Sequence, residues 1–139
     1  MVKVEFTIKG EPRGKGRPRF TRTGRVYTPS ETSQYEALVA LGYRNSVRGY
    51  KFTSPVRVTI GAYHKPPKKS KKVVKDMLDW HILPTKKPDV DNIAKIILDA
   101  LNGVAWDDDT QVVDLLVYKR YEEEPFVKVI IEEIDALRC

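Results

Sequence analysis

Asp89-Val90-Asp91-Asn92-Ile93-Ala94-Lys95-Ile96-Ile97-Leu98-Asp99-Ala100-Leu101-Asn102-Gly103 is the stretch on which the fold of this chain turns. At about 100° per residue, Ile93, Ile96, Ile97, Ala100 and Leu101 fall on one face, an apolar stripe that buries a helix against a core. Asp91, Lys95 and Asp99 share the opposite face. Leu98 lies close to that polar face, where an exposed leucine would serve a subunit contact. Asp89 or Asp91 is placed to cap the helix start, and Asn102-Gly103 is a favoured stop.

Strands flank this helix. Gln111–Tyr121 and Phe126–Ile134 read as two of them, with Glu122-Glu123-Glu124-Pro125 between them as a hairpin turn. Upstream, Pro55–Tyr63 carries the β-branched run Val56, Val58, Thr59 and Ile60, a third strand. Ser70 caps a short helix through Trp80. Ser30 or Ser33 opens an earlier helix to about Arg48, with Tyr35, Leu38, Val39 and Leu41 at helical spacing. Val2–Ile8 alternates apolar and polar residues, as a half-buried strand does. Residues 10–30 hold four glycines and three prolines, which predicts a loop. The expected fold is a single α+β domain spanning 1–139: a mixed sheet of about four strands with two or three helices.

A chain of 139 residues is long enough to bury a core without disulfide or metal staples. With 41% hydrophobic and 32% charged residues, it falls outside the disordered class. No apolar run approaches the roughly 18 residues a membrane span requires, so no membrane partner is expected. Met1-Val2-Lys3-Val4-Glu5-Phe6 alternates like a strand and lacks the apolar core of a signal peptide. The one cysteine, Cys139, excludes an internal disulfide or a cysteine-rich zinc site and fits a cytoplasmic location. Charge is divided unevenly. Residues 1–88 hold 20 Lys+Arg against 6 Asp+Glu, whereas residues 89–139 hold 5 against 13. The basic part favours a polyanionic partner over mere solubility. The acidic part needs its own explanation, because acids repel phosphate unless a cation lies between them.

Taken singly, each acid is ordinary: a cap at Asp89, an i,i+4 partner for Lys95, a solvated loop at Asp107-Asp108-Asp109. Together they suggest carboxylates gathered around a hard divalent cation, provided the loop after the helix returns to its start. A calcium-binding EF-hand is excluded. Counting from Asp89, Ala94 stands where glycine is required and Ala100 where a bidentate glutamate is required; counting from Asp107, Val112 takes the glycine position.

Lys87-Pro88-Asp89-Val90-Asp91-Asn92-Ile93-Ala94-Lys95, then Asp99-Ala100-Leu101-Asn102-Gly103, then Asp108-Asp109-Thr110-Gln111-Val112 resemble the signature of RusA-type Holliday junction resolvases. Gly10 to Phe20 and Tyr27-Thr28-Pro29 resemble that family's opening, so the likeness runs through nearly the whole chain in order. The resemblance implies a small dimeric fold and symmetric, Mg²⁺-dependent nicking of four-way DNA junctions, with Mn²⁺ as a substitute ion. It assigns metal binding to Asp89 and Asp91, catalysis to Lys95, and the third acid to Asp109, with Asp108 as an additional or alternative ligand. Hydrolysis then draws on the cation to activate water and absorb charge on the phosphate, with Lys95 as a fixed cation beside it.

Arg13, Lys15, Arg17 and Arg19 alternate in the glycine-containing loop, with Arg22 and Arg25 beyond; glycine admits the phosphate backbone and arginine supplies forked donors. Lys68, Lys69 and Lys72 belong to a second basic patch that tracks a DNA arm or solvates a helix. Phe20, Tyr27 and Trp106 are candidates to stack on opened bases, although such aromatics more often belong to a core or a subunit contact. Trp80 is assigned to packing, and His64 and His81 to structure. Two other classes compete: a DNA- or RNA-binding protein without catalysis, which leaves the acids unexplained, and a metal-dependent nuclease or phosphatase for unbranched substrates, which shares the metal site.

Overall fold

The β-branched run after Pro55 forms the strand around which everything else is arranged. The computed structural model describes residues 1–16, 19–27 and 30–134, with backbone alone for the pairs Arg19–Phe20 and Val26–Tyr27. Strand β1 is Lys3–Lys9, β2 is Arg19–Phe20 and β3 is Val26–Tyr27; helix α1 is Ser30–Val47 and strand β4 is Val56–His64. Helices α2, Lys71–Leu78, and α3, Val90–Leu101, follow, then β5, Val112–Tyr121, and β6, Phe126–Glu133. The main sheet has the order β1-β6-β4-β5. Within it β4 runs antiparallel to β6 and parallel to β5.

Burial of β4 explains its central position, along its whole length on one face and at its C-terminal end on the other. Val56, Val58, Ile60 and Ala62 are fully buried on one face, and Gly61 and Tyr63 are buried on the other. Parallel pairing to β5 requires a crossover, and α2 and α3 supply it. The expected apolar stripe of α3 is buried, with Ala94 added to it. Leu98 departs from expectation: it is half-buried and packs against the core, one turn after the buried Ala94 at the edge of the stripe. The chain leaves α3 at Gly103, whose φ of 76° suits glycine and whose N–H donates to Trp106 O at 2.7 Å. Helix α1 packs Tyr35, Val39 and Tyr43 inward, while Leu38 and Leu41 stay half exposed.

Two further expectations need correction, and the choice left open for Trp106 is decided for the core. The Glu122–Pro125 turn does not close a hairpin, because β5 and β6 lie on opposite sides of β4. The turn passes over the end of β4, where Glu122 N–H donates to His64 O at 3.0 Å. Residues 10–30 are not all loop: β2 and β3 pair antiparallel within them. Trp106 is fully buried, with its indole N–H on Asn102 Oδ1 at 2.8 Å, and so cannot stack on a base.

The face of the sheet away from α3 carries a row of charges. Lys3, Glu132, Arg57 and Asp114 come one from each strand and pair in sequence, at 3.5, 3.8 and 3.0 Å. Further along the same face, Tyr118 crosses over Gly61 and its hydroxyl meets that of Tyr63 at 2.9 Å. A Cβ on Gly61 would lie 2.6 Å from the Tyr118 hydroxyl oxygen and 2.9 Å from the Tyr63 ring. We therefore expect Gly61→Ala to destabilise the fold by about 1–3 kcal/mol, read from the urea midpoint; an unchanged midpoint would show that the tyrosines are free to move aside.

Candidate active site

Two segments meet at the N-terminal end of α3. Asp89 takes the N-cap position with extended backbone (φ −72°, ψ 155°), yet its side chain makes no capping hydrogen bond. Asp91 stands in the first turn, exposed. Among the described residues neither carboxylate enters an ion pair or a side-chain hydrogen bond. The usual work of an aspartate at a helix start is therefore left undone by Asp89, and hard oxygen donors stand free at a positive helix end.

The facing wall is the glycine-containing segment 10–16, tied down along its length. Gly10 N–H donates to Pro125 O at 3.0 Å, Lys15 N–H to Asn92 O at 3.1 Å and Gly16 N–H to Thr32 Oγ1 at 3.1 Å. Glu11 accepts from Lys65 N–H at 3.0 Å and lies 3.3 Å from His64 Nδ1. Gly14 is required by close approach, since a Cβ there would lie 3.0 Å from Pro88 Cβ and 3.1 Å from that of Asn92. Between the walls opens a cavity of about 700 Å³, with Arg13 on one side and Lys87, Asp89 and Asn92 on the other. Arg13 and Lys87 set around Asp89 suit a phosphate bridged by a cation.

Lys15, expected to contact DNA, does something else. Its ammonium lies 2.6 Å from Glu36 and 3.3 Å from Asp99, largely shielded from solvent. Burial opposes its charge, but Glu36 and Asp99 together raise its pKa above the ordinary lysine value. It clasps the loop to α1 and α3. Lys95 remains exposed beside Asp99, at 3.6 Å, and so faces the solvent near Asp91 as the helical spacing predicts. Arg13, Arg22, Arg25, Lys68, Lys69 and Lys72 are exposed, as a phosphate-facing role requires. Arg17 and the side chains of Arg19, Phe20 and Tyr27 lie outside the described residues.

The loop after α3 does not return to the helix start. With 12 residues, α3 is about 18 Å long, and Asp107, Asp108 and Asp109 follow its far end. There Asp107 pairs with Lys51 at 2.8 Å. Gln111 anchors the segment, donating to Phe52 O at 3.0 Å and Ser54 O at 3.1 Å. Strand β5 then runs back beside the helix, and Lys119 donates to Lys86 O at 2.6 Å and Pro88 O at 3.1 Å, bracing the approach to Asp89. Asp89 and Asp109 thus belong to opposite ends of the same layer. Among the described residues no three His, Cys, Asp or Glu side chains gather as one metal-binding group.

Sequence reasoning missed Glu36 and Lys119, whose contacts are long-range and leave no local pattern. It also misplaced Trp80, which is 44% exposed. His81 is exposed near Asp76, whereas His64 is buried, as a structural histidine should be.

The family model for Endodeoxyribonuclease RusA matches residues 9–132. The chain is also similar to YqaN, an uncharacterized protein of Bacillus subtilis (strain 168). The two are 42% identical over 142 residues, covering 96% of this chain and 98% of that protein.

The buried His64 beneath this loop yields a pH dependence. Burial pushes its imidazole below the ordinary histidine value, against the pull of Glu11. The unfolded chain therefore takes up this proton first, near pH 6.5, and native stability falls as pH drops through that value until the folded pKa is passed. We expect the melting temperature to decline from about pH 7 to about pH 5 more steeply in the wild type than in His64→Gln; parallel slopes would remove His64 as the cause.

Proposed function

Because this chain belongs to the RusA endodeoxyribonuclease family, we propose that it is a Mg²⁺-dependent homodimer that resolves four-way DNA junctions by paired nicks in recombination and repair. The observation that carries the metal part is Asp89, an N-cap aspartate that does not cap. Mg²⁺ is held in proteins by one or two carboxylates, with water and substrate phosphate completing its shell. Asp89 and Asp91 match that donor set, with Arg13 and Lys87 nearby to receive the phosphates.

When bound, Mg²⁺ makes water a nucleophile at neutral pH and absorbs charge on the phosphate. The protein's own contribution is positional. Asp89 and Asp91 provide the oxygen ligands; Lys95, restrained by Asp99 on its own helix, stands as a fixed cation for the phosphate in its transition state. Arg13 and the braced loop hold the strand in register, while Lys15 keeps that loop in place.

Asp108 and Asp109 of the same chain follow the far end of α3, about a helix length from Asp89. In this reading a second copy supplies the third acid, related by the two-fold axis that a near-symmetric four-way junction also has. Asp109 of the partner subunit is the preferred candidate, with Asp108 of the partner subunit as the alternative.

Wild-type protein should cut a four-way junction in Mg²⁺ in preference to a fork or a linear duplex, and lose cutting in chelator. Asp91→Asn should bind the junction and keep the fold while losing cutting. Mixing Asp91→Asn with Asp109→Asn should recover nicking of one strand, because one site of the mixed dimer is then whole. Equal cutting of all three substrates would sink the junction specificity, full activity of Asp91→Asn the metal assignment, and an inert mixture the shared site.

A further inference from the structure

Trp80 is the exposed aromatic that sequence reasoning assigned to packing. It follows α2 in the left-handed backbone region, φ 63°, a conformation tryptophan holds only when its surroundings impose it. The turn is fixed by Trp80 N–H on Met77 O at 3.1 Å and His81 N–H on Asp76 O at 2.8 Å. The ring is fixed as well. Its indole N–H donates to Tyr121 O at 2.9 Å, and the Arg120 guanidinium covers one face at 5.6 Å while lying 5.3 Å from the Tyr118 ring. Arg120 covers one face, yet 44% of the residue stays exposed to solvent. An aromatic surface is thus held rigid and wet, at the cost of a strained backbone.

Its surroundings identify the ligand. Residues 65–88 carry eight lysines and two aspartates. Protein–protein interface cores are poor in lysine, so a second copy of the chain fits this surface badly. A ligand with negative charge along its length and flat π faces fits it well, and nucleic acid has both. Bases inside a duplex are already stacked, so the ring takes one that is unpaired. The platform shares a strand end with the acidic site but not a sheet face: Arg120 lies with Tyr118 on the face away from α3, whereas its neighbour Lys119 points to the other side and holds the carbonyl of Pro88 at 3.1 Å, directly before Asp89.

We propose that Trp80, backed by Arg120, is a stacking platform for an unpaired nucleobase, at the same end of β5 as the Asp89–Asp91 site. The proposal rests on the nuclease reading for its choice of branched DNA, and it is tested by binding rather than by cutting. The chain has two tryptophans, Trp80 and the fully buried Trp106, so emission reports on the exposed one selectively. Full-length Asp91→Asn protein is titrated with a four-way junction, a single-stranded oligonucleotide and a blunt duplex.

We expect the junction and the single strand to quench emission, the blunt duplex to leave it unchanged, and Trp80→Phe to abolish the response. Trp80→Ala should weaken junction binding about tenfold, and Trp80→Phe should recover most of that loss, which separates stacking from mere folding. Junction binding without quenching, or undiminished binding by Trp80→Ala, overturns the platform. So does a shift of Trp80→Ala to a smaller sedimenting species, which would place the ring at a subunit contact. Quenching intact in a wild-type protein that does not cut in Mg²⁺ upholds the platform and overturns the nuclease reading.

Discussion

Burial of β4, along its whole length on one face and at its C-terminal end on the other, is the constraint from which the other placements follow. A strand so buried sits inside the sheet, so β5 and β6 take its two edges. Parallel pairing with β5 then obliges the intervening chain to cross back, and α3 makes that crossing with six buried positions. The crossing direction brings Asp89 to the strand end where Lys119 and His64 stand, and sends Asp107–Asp109 to the other. The separation of the acids is therefore a product of core packing, not of any interaction among the acids themselves.

The glycine-containing segment shows how the charged halves of the chain are reconciled. Its positive charge is partly spent on internal work, since Lys15 is neutralised by Glu36 and Asp99. That clasp releases Arg13 to stand over the cavity with its backbone already ordered. An isolated surface ion pair contributes little to stability. Lys15 differs because it is shielded and touches two carboxylates from two helices, so its loss would unfasten three segments at once.

Much of this architecture was legible beforehand because it rests on local periodicity. The stripe Ile93, Ile96, Ile97, Ala100 and Leu101 can face only one way, and Ser70 caps α2 through Val73 N–H as its type suggests. Strand order was not legible: Glu122–Pro125 has the composition of a hairpin turn, and only competition for the buried centre decides that β4 comes between its arms. The site divided along the same line. Asp91, Lys95 and Asp99 share a face by helical spacing, whereas Lys15 and Trp80 acquired their roles from contacts with residues 21 and 41 positions away in the sequence. The apolar character of Trp80 said core; its exposure, its indole bond to Tyr121 O and the guanidinium over its ring say otherwise.

The row Lys3, Glu132, Arg57 and Asp114 has a consequence for how the molecule meets a charged partner. Opposite charges alternate across all four strands, so their fields cancel within a few ångströms of that face. Positive charge outside the row lies further along the same face, at Lys9, Lys128 and Arg120, on the loop with Arg13 and on the lysines of residues 65–88. Seen from a distance the molecule is lopsided, balanced along that row and positive beyond it. A polyanion's field exerts a torque on such a body as well as a pull. Encounters would then begin with the molecule already turned, and the balanced row shapes that orientation by contributing little.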